Sequence, residues 1–355
     1  MTVPLRELGP LPDRVAVSYV MPVLNEAGYL EHAVAAILGQ EYEGESELVI
    51  ALGASTDETD AIAARLAEAD PRIRLVPNPD NDIPKGLNAA IRASRFPVVI
   101  RVDAHAELPD GYTATAVEIL RRTGCANLGG VMLAKGRTPV QRAIARAYNS
   151  PFGLGGGVYH HGDEDTPADS AYLGVFRREV LFEVGLYDPE LRRAEDWELN
   201  HRIRAAGYQV LFTPKLKVVY WPRASLSALR RQMYATGVWR GHLVRRQGRT
   251  PLRYLPPPAV ALVVGASLLA GLLQAVGLVR PDAKLAGVAH LGALGYLVGV
   301  TAVGVASLGG DSLRDRLLNP LVLITMHLSW GAGFLRGVVA GAESTVDRSR
   351  VRVAG

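Results

Sequence analysis

The stretch PVVIRVDAHAE, residues 97–107, decides how the first half of this chain is organised. Its first part is short, apolar and β-branched, which is typical of a buried strand. Asp103, His105 and Glu107 follow that strand at once. Two interpretations are open: a solvated turn, or a metal site in which a carboxylate and an imidazole two residues apart face one cation.

Three earlier segments have the same strand character, and helical patterns separate them. The predicted strands are residues 15–21, 47–52, 72–76 and 97–103. Three helices are predicted between these strands. The first has an apolar stripe from Leu30 to Leu38, the second covers about 57–68, and the third begins with Pro84 in its first turn. Strand–helix alternation with short connections predicts right-handed crossovers and a Rossmann-like α/β domain with a mainly parallel sheet.

The polar clusters of this region directly follow strands. They are PVLNEA, GASTDE, PNPDNDIP and AHAE. Parallel sheets bind ligands beyond the carboxyl ends of their strands, so these segments are expected to meet at one edge. No GxGxxG follows the first strand and no P-loop motif occurs in the sequence, which disfavours dinucleotide-binding and P-loop enzymes. Magnesium or manganese on a carboxylate could still hold a phosphate-bearing ligand.

Cysteine usage and the N-terminus bear on the compartment. The 355-residue chain has one cysteine, Cys125, which allows no intramolecular disulfide and no cysteine cluster for zinc. A reducing compartment is therefore favoured. The N-terminus has no apolar run of signal-peptide length, so we expect the first half of the chain on the cytoplasmic side.

The distribution of charge changes after residue 253. No Asp, Glu, Lys or Arg occurs in residues 254–279, 285–310 and 317–335, and about 20 apolar residues suffice to cross a bilayer as a helix. We predict transmembrane helices at about 254–279, 285–310 and 317–340; the alternative is a very apolar soluble helical domain. Glycines four apart, such as Gly333 and Gly337, would let such helices pack closely.

Eight arginines lie between residues 223 and 253, directly before the first predicted span. This placement follows the positive-inside rule and would attract anionic lipid headgroups. The predicted organisation is an N-terminal tail (1–14), a cytoplasmic α/β domain (15–222), an arginine-rich interfacial amphipathic segment (223–253), a transmembrane region (254–341) and a C-terminal tail (342–355). Three spans would place that tail outside, whereas two spans and an interfacial helix would return it to the cytoplasm, and both arrangements stay open.

Five motifs occur in a characteristic order. They are PVLNE (22–26), STDET (55–59), KGLNAAI (85–91), VDAH (102–105) and EDWELNHRIRAAGY (195–208). Together they resemble family 2 of the glycosyltransferases, GT-A fold enzymes that use nucleotide sugars, and the resemblance covers about residues 15–248. With YLGVFRREV (172–180), the Gly-rich stretch 153–157 and the C-terminal spans, the chain is most similar to membrane-anchored succinoglycan-type glucosyltransferases of exopolysaccharide assembly.

The resemblance implies a nucleotide site and a metal site. Pro22, Asn25 and Glu26 would line the base and ribose pocket. Asn25 could equally be the N-cap of a helix that starts near Glu26, and the two roles are compatible. Asp103 matches the first carboxylate of the family's D-x-D element and would bind the metal or the diphosphate. His105 stands where the family usually has the last Asp, and it would either bind the manganese or magnesium ion or hydrogen-bond the diphosphate.

The acidic pair Glu195-Asp196 matches the family's catalytic pair at a helix start. The resemblance implies that Asp196 takes the proton of the acceptor hydroxyl as it attacks the anomeric carbon, in a displacement with inversion. A metal would stabilise the departing nucleoside diphosphate. Glu195 would lie on the acceptor side, or only complement the helix dipole. Trp197 would stack on an acceptor sugar, or simply pack.

Lys85, Arg231 and Gln232 complete the implied nucleotide-sugar site. Lys85 would reach a phosphate, or be an exposed lysine near a helix start. Arg231 and Gln232 fall where membrane members of the family carry a Gln/Arg/Trp element over the diphosphate, but the spacing differs. An interfacial amphipathic helix explains the same two residues. Arg101 would either neutralise phosphate or sit at a strand edge.

Two stretches leave questions open. Leu52 and Gly53 occupy the place of the family's base-recognising Asp, so the base of the nucleotide is not defined, and Asp57 suits a helix start instead. Residues 153–170 have the composition of a mobile acceptor-side lid, with a second metal site as the alternative.

We therefore predict a membrane-anchored, metal-dependent, inverting glycosyltransferase of the plasma membrane. It would move a sugar from a nucleotide sugar to a polyprenyl-diphosphate-linked saccharide in polysaccharide synthesis, and nucleic acid is not an expected partner. A polyprenyl-phosphate glycosyltransferase and a non-catalytic scaffold that keeps the GT-A fold are the alternatives. Leu52 and His105 favour the scaffold, whereas Asp103, Glu195 and Asp196 argue against it.

Overall fold

The computed structural model describes residues 5–153, 163–191, 193–248 and 250–342. The chain divides into two compact units. The first consists of Met1–Leu133 and Val158–Trp221, and the second of Ala134–Gly157 and Pro222–Gly355. Residues 154–162 of the predicted lid lie outside the described residues, as does the C-terminal tail after residue 342.

The first unit begins with the predicted alternation of strands and helices. Its strands are β1 (Val17–Val23), β2 (Ser46–Leu52), β3 (Ile73–Pro77) and β4 (Val98–Arg101), and its helices are α1 (Leu30–Leu38), α2 (Thr59–Ala69) and α3 (Ile83–Ala93). The four strands pair in parallel in the order β3-β2-β1-β4. Nearly every residue of β1 and β2 is buried, as expected for parallel strands covered on both faces.

Antiparallel strands extend this sheet beyond β4. In chain order the remaining elements up to the end of the first unit are β5 (Ala106–Glu107), α4 (Tyr112–Thr123), β6 (Asn127–Ala134), α5 (Pro139–Tyr148, in the second unit), β7 (Thr166–Pro167), β8 (Val175–Arg177), α6 (Arg178–Glu183), α7 (Glu195–Ala205) and β9 (Val210–Tyr220). The sheet continues β4-β8-β6-β9-β5, with β7 on β9. Strand β8 runs antiparallel to both β4 and β6, so the sheet is mixed and mostly parallel at its N-terminal half.

The second unit is helical. Besides α5 it contains α8 (Leu226–Gln247), α9 (Pro256–Ala275), α10 (Lys284–Ala306) and α11 (Leu313–Ala340). Three helical segments, Leu252–Ala275, Lys284–Ala306 and Leu313–Ala340, are long and apolar enough to cross a membrane. Large side chains such as Leu268, Leu285 and Leu291 are more than two-thirds exposed, which suits a lipid-facing surface. The expectation of three such helices is confirmed.

Helix α8 packs closely against α11 through glycines on both helices. A Cβ on Gly337 would lie 2.1 Å from the Val238 carbonyl oxygen, and one on Gly241 would lie 2.1 Å from the Phe334 carbonyl oxygen. Only residues without a side chain allow the two backbones to approach this closely. The small-residue spacing in α11 therefore serves contact with α8, a helix inside the segment predicted to be interfacial.

Candidate active site

A buried arginine at the end of β4 gathers three carboxylates. Arg101 pairs with Val20 in the β1–β4 register, and only 4% of its side chain is exposed. Its Nη1 lies 2.5 Å from Asp196 Oδ1, and its Nη2 lies 3.3 Å from Asp103 Oδ1 and 3.5 Å from Glu195 Oε1. The Arg101 guanidinium thus links the end of β4 to the start of α7. Arg101 lies at the end of β4, an inner strand between β1 and β8, and a role in neutralising phosphate stays a prediction.

The three carboxylates differ in exposure. Asp196 keeps 26% of its side-chain surface exposed, against 13% for Asp103 and 12% for Glu195. A molecule approaching the cluster from solvent therefore reaches Asp196 more readily than its two neighbours.

Burial and charge set the ionisation of this cluster. Burial alone disfavours the Arg101 cation, but Asp196, Asp103 and Glu195 outweigh burial and raise the pKa of the guanidinium. Burial raises the pKa of Asp196 to about 7, with Glu195 and Asp103 adding to the rise and Arg101 opposing it. A carboxyl group with that pKa can both take up and release a proton near neutral pH.

Tyr187 also contacts Asp196 and was missed in the sequence. Its hydroxyl donates to Asp196 Oδ1 at 3.4 Å, and burial raises its pKa, so the phenol remains a donor. Asn88 of α3 fixes the Tyr187 backbone, since its Nδ2 donates to the Tyr187 carbonyl at 2.8 Å and its Oδ1 accepts from the Tyr187 N–H at 2.9 Å. The signal in the sequence was Asn88 itself, a polar residue among the apolar residues of the KGLNAAI motif. A polar side chain that is buried in a helix needs a hydrogen-bond partner in another segment.

The start of α7 places the acidic pair. Ala194, directly before the helix, has a left-handed φ of 62°, which is strained for a residue with a Cβ. Inside the helix, Asn200 is fully buried, and its Nδ2 donates to the Asp196 carbonyl at 2.8 Å. Glu195 complements the helix dipole and also contacts Arg101, so dipole stabilisation is not its sole interaction.

The loop after β1 is tied to the loop after β2. Asn25 has a φ of 55°, and its Oδ1 accepts from the Thr56 N–H at 2.7 Å, while its own N–H donates to Ser55 Oγ at 3.2 Å. The expectation that Asn25 caps the first helix is wrong, because α1 begins only at Leu30 and the Asn25 side chain is used between loops.

Glu26 joins this first loop to the motif after β4. The Glu26 Oε1 lies 3.1 Å from His105 Nδ1. A carboxylate accepts but does not donate, so Nδ1 carries a proton in this contact, and in the neutral imidazole Nε2 presents its lone pair. Glu26 and His105 are thus brought together, one from the predicted nucleotide loop and one from the predicted metal motif.

Carboxylate and imidazole groups are the donors that this edge of the sheet offers to a divalent cation. Among the described residues, no three His, Cys, Asp or Glu side chains form a metal-binding group. Magnesium is commonly held by one or two carboxylates together with substrate phosphates, and manganese accepts oxygen and imidazole ligands. Asp103, with a His105 ring oriented by Glu26, fits a cation that binds jointly with a diphosphate rather than a cation held by protein alone.

Lys85, Pro22 and Trp197 also belong to the first unit. Lys85 Nζ forms an ion pair with Asp80 at 3.0 Å, and Pro22 lies opposite Ala51 in the β1–β2 register. The Trp197 ring stacks on His201 with centroids 5.6 Å apart. These contacts leave the ligand roles of Lys85, Pro22 and Trp197 as predictions.

Arg231 and Gln232 belong to the second unit, on α8. There Gln232 Oε1 accepts from the Tyr148 hydroxyl at 3.4 Å. The first unit builds its carboxylate cluster from its own residues, and the donor-binding role of this pair stays a prediction.

Asn81 occupies the neighbourhood of the missing base-recognising Asp. Its Oδ1 accepts from the Ala54 N–H at 2.7 Å, and a Cβ on Gly53 would come within 2.7 Å of the same oxygen. The glycine at 53 therefore makes room for an amide side chain that the sequence motifs did not single out.

Comparisons with known proteins identify the family and the fold of this chain. The glycosyl transferase family 2 model matches residues 18–185. The chain is 33% identical over 320 residues to the succinoglycan biosynthesis protein ExoA of Rhizobium meliloti (strain 1021), which spans 89% of this chain and 93% of that protein. The mannosyltransferase PcManGT from Pyrobaculum calidifontis, solved in complex with GDP-Man and Mn2+, matches with a TM-score of 0.58 at 20% identity, covering 93% of this chain and 89% of that one. At this level of identity, the similarity to PcManGT concerns the fold alone. This chain belongs to glycosyltransferase family 2, has the GT-A fold, and is related to a protein of succinoglycan biosynthesis.

Proposed function

We propose that this chain is an inverting glycosyltransferase that uses Asp196 as the base for the acceptor hydroxyl. One observation supports this above the others. Asp196 is the most exposed carboxylate of the cluster, and it is oriented by both Arg101 and Tyr187. An acceptor hydroxyl is a weak nucleophile, and a carboxylate within hydrogen-bond reach can take its proton during attack on the anomeric carbon.

Arg101 and Tyr187 each have a defined part in this step. Arg101 opposes the rise in the Asp196 pKa and so keeps a fraction of the carboxyl ionised at neutral pH. The Tyr187 hydroxyl donates to the same oxygen and also favours the ionised form. Both contacts weaken once Asp196 accepts a proton, so the carboxyl can pass it on to solvent after transfer.

Asp103 and His105 are the residues that would hold a divalent cation, with Glu26 orienting the imidazole. When bound, manganese or magnesium would neutralise charge on the departing nucleoside diphosphate. Pro22, Asn25, Glu26 and Lys85 are proposed to contact the nucleotide. The loop contacts of Asn25 with the segment after β2 support a preformed pocket at this edge.

The acceptor is proposed to be a polyprenyl-diphosphate-linked saccharide at the cytoplasmic face of the plasma membrane. Two findings support this: the relatedness to a succinoglycan biosynthesis protein, and three helices able to cross a membrane. Glu195 and Trp197 would lie on the acceptor side. Direct transfer to a polyprenyl phosphate is the alternative reaction.

Release of nucleoside diphosphate tests the proposal. Detergent-solubilised protein is incubated with UDP-, GDP- or ADP-sugars, manganese and a bacterial lipid extract, beside Asp196→Asn. We expect lipid-dependent release from one donor and a loss of about 100-fold or more in the variant. Donor binding is measured in parallel by thermal shift. If the protein neither releases nor binds any of these nucleotides, the non-catalytic scaffold replaces the enzyme.

A further inference from the structure

The hydroxyl of Tyr172 is buried in the first unit. Among the described residues it has neither a donor nor an acceptor, although the residue as a whole is partly exposed. Nearly all buried hydroxyl groups in proteins are hydrogen-bonded, because an unpaired one loses its bonds to water without replacement. Beside a candidate active site, a bound substrate can supply the missing partner.

The surroundings of Tyr172 are those of the carboxylate cluster. The ionisable groups that act on its hydroxyl are Asp103, Tyr220, Arg101 and Asp196. Its ring packs edge-to-face on Tyr220 with centroids 6.4 Å apart, and Tyr220 in turn lies 6.0 Å from the His105 ring. Tyr172 therefore continues a row of rings that starts at the proposed metal motif.

The backbone beside Tyr172 is held in an unusual conformation. Leu173 has a left-handed φ of 45°, which is costly for a residue with a branched side chain, and it is buried. The next residue, Gly174, accepts a hydrogen bond from the Arg101 N–H at 3.1 Å. The segment carrying Tyr172 is thus fixed to the strand that carries Arg101, and the hydroxyl position is set by the fold.

The state of the hydroxyl is also defined. Burial and the nearby Asp103 carboxylate raise the pKa of Tyr172 above its ordinary value, so the phenol keeps its proton. It offers a donor to an incoming oxygen.

We propose that the Tyr172 hydroxyl is a substrate-binding group that donates a hydrogen bond to an oxygen at the diphosphate–sugar end of the nucleotide sugar. The inference rests on the proposed function, which places that end of the donor beside Asp103. The ligand oxygen belongs either to the diphosphate or to the sugar, and both present the same acceptor chemistry to a phenol.

Tyr172→Phe tests the proposal, because it removes only the hydroxyl. Tyr112→Phe is a matched control, since the Tyr112 hydroxyl is likewise buried without a partner among the described residues but lies in the core at the start of α4. Binding to the detergent-solubilised full chain is measured by calorimetry with manganese. The probes are UDP and UDP-glucose, GDP and GDP-mannose, and ADP and ADP-glucose.

We expect Tyr172→Phe to weaken binding of the recognised nucleotide sugar by about tenfold and Tyr112→Phe to leave it unchanged. The melting temperature without ligand should stay the same or rise in both variants, because each loses a buried hydroxyl that has no partner among the described residues. Equal loss for the free nucleoside diphosphate assigns the bond to the diphosphate, whereas loss for the sugar conjugate alone assigns it to the sugar.

Three results would overturn the inference. Unchanged donor affinity in Tyr172→Phe, with the wild type binding normally, removes the role of Tyr172 and leaves the proposed function standing. A lowered ligand-free melting temperature would show a structural role for the hydroxyl. Absence of nucleotide binding in the wild-type protein would remove the proposed function together with this inference.

Discussion

The pH dependence of transfer should report the unusual ionisation of Asp196. Burial raises the pKa of this carboxyl to about 7, and the base must be ionised to accept a proton. With that value, about one tenth of Asp196 is ionised at pH 6 and about nine tenths at pH 8. The rate constant kcat/KM for the nucleotide sugar is therefore expected to rise about tenfold between pH 6 and pH 8 and then to level off.

Glu195→Gln supplies the perturbation that identifies the titrating group. The Glu195 charge raises the Asp196 pKa, so its removal should move the rise in kcat/KM to lower pH. The assay is nucleoside diphosphate release from the donor that the wild type uses, measured from pH 5.5 to 8.5 at fixed lipid acceptor. A flat wild-type profile between pH 6 and pH 8, or an identical profile in Glu195→Gln, would refute the assignment of the base.

Three further perturbations have defined outcomes. Tyr187→Phe removes a hydrogen bond that lowers the Asp196 pKa, so the rise in kcat/KM should move to higher pH; a profile that moves the other way contradicts this contact. Gly337→Ala should lower the thermal unfolding temperature in detergent through overpacking of about 1–3 kcal/mol against the Val238 carbonyl, whereas Gly287→Ala, with nothing within 4 Å, should not. EDTA should abolish sugar transfer and manganese restore it, and His105→Ala should raise the manganese concentration for half-maximal activity about tenfold; full activity in EDTA rules out the metal role.

Much of the first unit could be predicted from local sequence patterns. The four parallel strands lie within two residues of their predicted positions, because β-branched apolar runs bounded by polar segments define strands without reference to distant contacts. The three long apolar segments likewise predict their helices, since the length of an uncharged run alone decides whether it can cross a bilayer. The motifs around Asp103 and Asp196 predict which carboxylates belong to the site.

The interactions between distant residues could not be predicted in this way. The sequence was compatible with two roles for Asn25, a nucleotide contact and a helix cap. Only the fold shows that its side-chain amide joins two loops and does not cap α1. Tyr187 lies outside the motifs that carried the resemblance, and its contact with Asp196 depends on Asn88, 99 residues earlier in the chain.

The sequence by itself determined the order of strands and helices, the apolar C-terminal helices and the chemical types at the site. Tertiary structure alone decided that Arg101 sits among three carboxylates, that Asp196 has a pKa of about 7, and that the Tyr172 hydroxyl is buried without a partner among the described residues. The physical reason is that ionisation and hydrogen bonding depend on burial and on charges a few ångströms away. Those neighbours come from β4, α7 and the segment before β8, which only the folded sheet brings together.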